Sequence, residues 1–172
     1  ININLTHGLA LSREYKKNWR SNKNKNNLGV LEMVLIHYID LINHYFKLKK
    51  KISFIPHKFS DFGSSFDTCK VMLKSQKNVN VDLFASYSAP FYRNIMFLFK
   101  NGYIHQDEKK ISIMGPATNK NKKNMFIKPK KKLILNANYL KDYEESLEKS
   151  VSFFLQSVKK NKKFKNSLFK SS

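Results

Sequence analysis

The stretch SAPFYRNIMFLFKNGYI, Ser88 to Ile104, decides how the chain is read. Ser88 is a good helix N-cap, and Pro90 is tolerated in a first turn. Phe91, Ile95, Leu98 and Phe99 follow at helical spacing, and Asn101-Gly102 supplies a stop. Tyr103-Ile104 and Ile111-Ser112-Ile113 then read as short strands joined by the charged turn Gln106 to Lys110. Upstream, Ser60 to Cys69 reads as a short helix, and Lys70 to Ser75 as a strand in which Val71 and Leu73 alternate with polar residues. After a basic loop at 115–124 come strands around Met125–Ile127 and Lys132–Leu135, then a helix from about Tyr139 to Leu155. This predicts an α+β chain with two small α/β subdomains. The first, 60–114, runs helix, strand, helix, strand, strand; the second, 115–158, is strand-rich and basic with one helix.

Outward of these lie the ends. Residues 1–59 read as an N-terminal extension and 159–172 as a Lys-rich tail. Within the extension, residues 1–27 are polar, with Trp19 among Lys16, Lys17 and Arg20, and are expected to hold little structure alone. Residues 28–48 carry Leu31, Val34, Leu35, Tyr38, Leu41, Ile42 and Tyr45 at helical spacing. That amphipathic helix must bury its face on the body or on a partner.

Charge dominates the composition: 33 Lys+Arg against 12 Asp+Glu give a formal +21. Such a field attracts polyanions and leaves RNA, DNA and an anionic membrane as candidates. Thirty of the basic residues are Lys, beside much Asn, Ile and Phe, which indicates an A/T-biased genome such as an organelle's. Apolar residues at 41% suffice for a core. The single cysteine, Cys69, excludes an intramolecular disulfide and a multi-cysteine zinc site. The longest apolar region, 28–48, is interrupted by Glu32, His37, Asp40, Asn43, His44 and Lys47, so no membrane span is expected. The chain starts at Ile1, which fits an unusual organelle start codon or trimming.

Asp61, Cys69, Lys70, Val71, Leu98, Gly102, Tyr103 and Ile104, in that order, together resemble the amino-terminal half of small-subunit ribosomal protein eight, of the bacterial and mitochondrial type. Ile127-Lys128-Pro129 followed by Lys132-Leu133-Ile134 is similar to that family's later basic strand, and Asn138 to Lys141 sits where its next helix begins. The match covers roughly 60–158. Lys130 stands where the family has glycine, and its closing RNA loop survives only as Gln156-Ser157. The resemblance implies a structural constituent of the mitochondrial small ribosomal subunit, in the organelle matrix. Its partners would be the central domain of small-subunit ribosomal RNA and neighbouring ribosomal proteins met through the extension. A fainter likeness in Leu9 to Arg20 is to ribosomal protein three.

On that reading the RNA-binding residues are Lys70, Lys74 and Lys77 in one half and Lys128, Lys130 and Lys132 in the other, with Ser157, Lys159 and Lys160. Phosphate contacts would position the protein while shape and 2′-hydroxyls discriminate RNA from DNA. Catalysis finds little support. Asp107-Glu108 and Glu144-Glu145 are adjacent pairs whose members point apart, and no Gly-rich phosphate loop is present. The chain is therefore expected to be no enzyme, with no cofactor, no metal and no small-molecule substrate. His37 and His44, seven apart on one helix, lack a carboxylate–histidine motif. A nucleoid DNA-binding protein and a peripheral membrane protein using helix 28–48 are the alternatives of another class.

Overall fold

Ile1-Asn2-Ile3-Asn4-Leu5-Thr6 alternates apolar and polar residues without a break, and this period of two is what a half-buried strand requires. In the computed structural model, which describes residues 1–115, 120–127, 129–136 and 138–160, the segment forms β1 (Asn2–Thr6). Ile3 and Leu5 point into the core. The remaining strands are β2 (Leu48–His57), β3 (Thr68–Ser75), β4 (Asn80–Ser86), β5 (Tyr92–Phe99), β6 (Gly102–Asp107), β7 (Lys110–Met114) and β8 (Lys131–Asn136). They form one eight-stranded sheet in the order β2-β3-β4-β1-β5-β6-β7-β8. Two meanders, β2-β3-β4 and β5-β6-β7, are each antiparallel in register. β1 lies between them, parallel to β4 and antiparallel to β5.

The class is α+β, and the arrangement is a single mixed sheet with few helices in place of two small subdomains. Contacts divide the chain into two units, residues 1–135 and 136–172. The residues expected to be an unstructured extension hold the strand at the middle of the sheet, followed by short 3₁₀ turns whose Ala10 and Tyr15 are buried. The helix read at 88–100 is strand β5. Its physical reason lies in which residues are covered. Ile95 is buried between β1 and β6, whereas Phe91, Leu98 and Phe99, the rest of the supposed helical stripe, are each more than half exposed. Aromatic and branched residues suit a pleated surface flanked on both sides.

Ser60 to Cys69 is likewise no helix. The carboxylate of Asp67, fully buried, accepts the backbone N–H of Ser60 at 2.7 Å and of Phe59 at 3.1 Å, and the Thr68 hydroxyl at 3.0 Å. Thr68 shares a further hydrogen bond of 2.7 Å with Ser86. These bonds fix the loop 58–67 against the ends of β3 and β4 and leave its donors committed.

The helix expected over 28–48 forms as a π-helical turn, Leu31–Leu35, continuing into α1 (Ile36–Phe46). It lies on one face of the sheet, with Leu35 and Ile42 packed on Ile3, Val71, Leu83 and Ile95. Residues 136–160 carry α2 (Tyr139–Lys159), capped by Asn138, whose Oδ1 accepts the Lys141 N–H at 3.4 Å. No described helix is long and apolar enough to cross a membrane.

Because β1 alone joins the meanders, its core residues govern stability. Ile3→Ala should cost about 3 kcal/mol in urea unfolding followed by circular dichroism, while Asn2→Ala should cost about 0.5 kcal/mol or less. Ile3→Asp, placing an unpaired charge in the core, should prevent folding.

Candidate functional site

A sheet with a helix on one face leaves a groove wherever the helix is too narrow to cover it. α1 packs through Ile42 into the buried cluster that includes Ile3, Leu83 and Ile95 on one face of the sheet. Between its flank and the strands lies a groove of about 500 Å³, bounded by Tyr38, Leu41, Tyr45 and Phe46 from α1. Ile3 of β1, Ile95 and Phe97 of β5 and Gln106 of β6 form its floor. Ile95 pairs directly with Gln106, so the amide stands beside an apolar floor. The size falls within the range of small-molecule sites, which are mostly apolar with a few polar groups for orientation. Leu41 is 51% and Tyr45 66% exposed, so this flank of α1 is not core although its spacing is that of a core stripe. His37, Asp40 and His44 are exposed along the same helix.

The position of α1 follows from Gly29. Its φ of +62° is one glycine adopts freely, and a Cβ there would stand 1.9 Å from the Phe66 carbonyl oxygen. The Val30 N–H donates to that same oxygen at 3.1 Å. The helix thus starts pressed against the loop before β3, and the π-helical turn sets the rotation that brings Tyr38 and Leu41 to the groove. π-Turns are frequent at functional sites.

A second polar group lies below the ends of β1, β3 and β4. Tyr15 and Tyr87 stack edge to face at 6.1 Å, and the His7 ring lies 4.5 Å from Tyr87. Burial pushes the hydroxyls of Tyr15 and Tyr87 and the thiol of Cys69 up to about 12, and lowers His7. A thiol so protonated is a core residue, as its small apolar setting suggested. Among the described residues no group of three His, Cys, Asp or Glu is placed to hold a metal.

The lysines singled out from sequence are dispersed. Lys70 is exposed and Lys74 partly buried on β3, and Lys77 is exposed in the turn that follows. Lys130 and Lys132 are exposed before and on β8, near the opposite edge of the sheet, and Lys128 lies outside the described residues. Six strand spacings of about 4.8 Å separate β3 from β8, roughly 29 Å. Ser157 is buried on α2, with its hydroxyl turned from solvent, while Lys159 and Lys160 are exposed at its end. Trp19, expected to offer a stacking face, has the Arg20 guanidinium 4.6 Å over its ring.

No family model matches the chain, and no curated protein matches it in sequence. Solved structures do match in fold. One is a protein from Desulfitobacterium hafniense assigned as an NADPH-dependent oxidoreductase, with TM-score 0.66 and 10% identity, covering 80% of this chain and 41% of that one. Levoglucosan dehydrogenase in complex with NADH gives 0.62 and 10%, over 78% and 38%. A 3-ketoreductase from Actinomadura kijaniata, in complex with NADP and TDP-benzene, gives 0.65 and 9%, over 97% and 48%. The chain shares its fold with part of each of these structures. It spans less than half the length of these structures.

These matches overturn the ribosomal reading. The likeness to ribosomal protein eight rested on a helix at 60–69 and another at 88–100, and neither exists. With it go the ribosomal RNA partner, the protein-three, nucleoid and membrane alternatives, and the exclusion of an enzyme with a small-molecule substrate, since the matching folds belong to oxidoreductases. At this identity the likeness establishes fold and leaves activity to be argued from the site.

Those complexes contain NADH or NADP, so the described residues must be tested against a dinucleotide. The dinucleotide crevice needs a parallel sheet with helices on both faces and a glycine-rich turn that lets a pyrophosphate reach a helix N-terminus. Here the one parallel pair with a described register is β1 with β4, and β1 leads through Gly8 into a three-residue 3₁₀ turn. A Cβ on Gly8 would meet the Leu11 side chain at 2.8 Å, so that turn is filled by the chain itself. The residues do not fit the group.

Two measurements check this geometry. Gly29→Ala should destabilise by about 3 kcal/mol, through both the strained φ and the clash with Phe66. Tyr15, Tyr87 and Cys69 lose protons near pH 9 to 10 when unfolded but only near 12 when folded. Their contribution is therefore complete below pH 9 and fades as pH climbs to 12, and the urea midpoint should fall across that interval.

Proposed function

We propose that this chain is the substrate-side sheet portion of an NAD(P)-dependent oxidoreductase, with the dinucleotide held by a portion of the enzyme outside these residues. The observation that carries the reading is the fold match over four-fifths of this chain and two-fifths of a dehydrogenase-type chain, joined to the lack of fit for a dinucleotide. The groove under α1 then receives a small hydroxylated substrate. Tyr38, Tyr45 and Gln106 supply hydrogen-bonding groups, and Leu41, Ile95 and Phe97 supply an apolar wall. The ligands named in matching structures, levoglucosan, L-sorbose and L-tartaric acid, are of this size and chemistry. The protein's own contribution is to bind, orient and exclude water; the hydride chemistry belongs to the nicotinamide.

The test is a titration of the 172-residue chain. NADH and NADPH fluorescence should remain unchanged up to about 1 mM, the upper end of usual substrate affinities. A panel of sugars, anhydrosugars and hydroxy acids, followed by amide chemical shifts, should move Tyr38, Leu41, Tyr45 and Gln106. Tyr45→Ala should weaken that binding about tenfold, the worth of one good contact. Saturable NADH binding by the chain would overturn the division of labour. A panel that leaves the groove amides unmoved would overturn its role as a substrate site.

A further inference from the structure

α2 divides its charges along its length. Residues 139–149 carry the carboxylates of Asp142, Glu144, Glu145 and Glu148 against Lys141 and Lys149, residues 150–158 carry no charge, and Lys159 and Lys160 close the helix. Four carboxylates thus balance four lysines in a chain whose total is +21. Along one side, Leu140, Leu147 and Phe154 recur every seven residues, and Val151 and Val158 repeat that interval four residues on. Each of these five is half or more exposed, as is Tyr143, which lies beside Glu144 at the one polar place in the row. On the opposite side of the helix Glu145 pairs with Lys141 at 3.9 Å and with Lys149 at 3.5 Å. From Leu140 to Lys160 only Ser157 is buried.

We propose that α2 pairs with α2 of a second copy of the chain, antiparallel and across a two-fold axis at Lys149. The seven-residue repeat selects the kind of partner, because an apolar row with that period stays in contact with another helix that winds about it. Charge selects the copy and its direction. A helix whose charges cancel tolerates a second chain of the same +21 more readily than a basic surface would, and it offers no row of cations to a polyanion. Side by side in one direction, the two acidic halves would meet, and so would the two lysine ends. Reversed, the acidic half of each lies against the lysine end of the other, and the helix dipoles oppose. The register then sets Leu140 against Val158, Leu147 against Val151, and Phe154 against Tyr143 and Glu144. A contact of one stripe with itself closes and leaves no free end. A 21-residue helix is about 31 Å long and about 11 Å wide, so each copy gives roughly 350 Å² in projection. That is under half of the about 800 Å² of a standard interface, which makes the pair reversible, with a dissociation constant on the order of 100 μM. The pairing rests on α2 alone and not on the oxidoreductase reading, and its failure would leave that reading standing.

The experiment is analytical sedimentation of the nuclease-treated 172-residue chain from about 5 to 500 μM, a range that brackets that constant. The average mass should climb from monomer toward dimer across it. The double variant Leu147→Lys, Val151→Lys should stay monomeric throughout. Disulfide trapping reads the direction without relying on that variant, and buried Cys69 stays out of it. At about 200 μM under diamide, chains with Leu140→Cys mixed with chains with Val158→Cys should join as a mixed dimer, whereas Leu140→Cys alone should not. Trapping of Leu140→Cys with itself would mean a parallel pair and overturn the proposal. A monomer up to about 500 μM, a dimer that survives the double lysine variant, or a mixture that yields no mixed disulfide would overturn it as well.

Discussion

The sheet holds together through one short strand. β2-β3-β4 and β5-β6-β7 are each built from neighbours in sequence, and each could pair without the other. β4 and β5 are consecutive in the chain yet do not touch as neighbours, because β1 stands between them. Five residues, Asn2 to Thr6, thus supply the backbone hydrogen bonds for both inner edges. Each of those edges would otherwise be a row of unpaired donors and acceptors. The core under α1 depends on the same strand, since Ile3 and Leu5 bridge Leu83 and Ala85 on one side and Ile95 on the other.

Around that strand the loops are fixed by polar bonds in place of apolar packing. The Asp67 carboxylate gathers the N–H groups of Phe59 and Ser60, and the Tyr87 N–H donates to the Asp67 carbonyl at 2.7 Å. The Ser60 hydroxyl donates to Ala10 at 2.7 Å. The turn after β1, the loop before β3 and the end of β4 are tied to one buried acid. That arrangement holds Gly29 against Phe66, where the π-helical turn leading into α1 starts, beside the groove lined by Tyr38 and Phe97.

Several elements could be read from residues alone. The 3.6-residue period of Leu31 to Tyr45 is α1, the alternation of Val71 and Leu73 is β3, and the turn between β6 and β7 is marked by its charges. The long helix from Tyr139 also forms. β1 has an equally clean alternation, but it stands next to a Lys/Asn-rich stretch whose average polarity hides it. Tyr92 to Phe99 is ambiguous by nature: apolar at nearly every position, it satisfies a helical and an extended period together, and only its two neighbours in the sheet decide. The groove was half legible. Tyr38, Leu41 and Tyr45 lie on the apolar stripe, but their exposure depends on Ile95 and Gln106, more than fifty residues away. Net charge misled most, because a total says nothing of where lysines are absent.

The central strand also orders events in time. Ile3 pairs with Leu83 and Ile95, so β1, once it has left a ribosome, finds both partners only after some ninety more residues have been made. At synthesis rates of about 5–20 residues per second, that is a wait of roughly 5 to 20 seconds. During it an apolar strand with both edges bare is open to capture by chaperones or by another nascent copy. The meander β2-β3-β4, complete earlier, offers it one edge in the meantime. Closure of the sheet is then a late step set by how fast the chain is delivered.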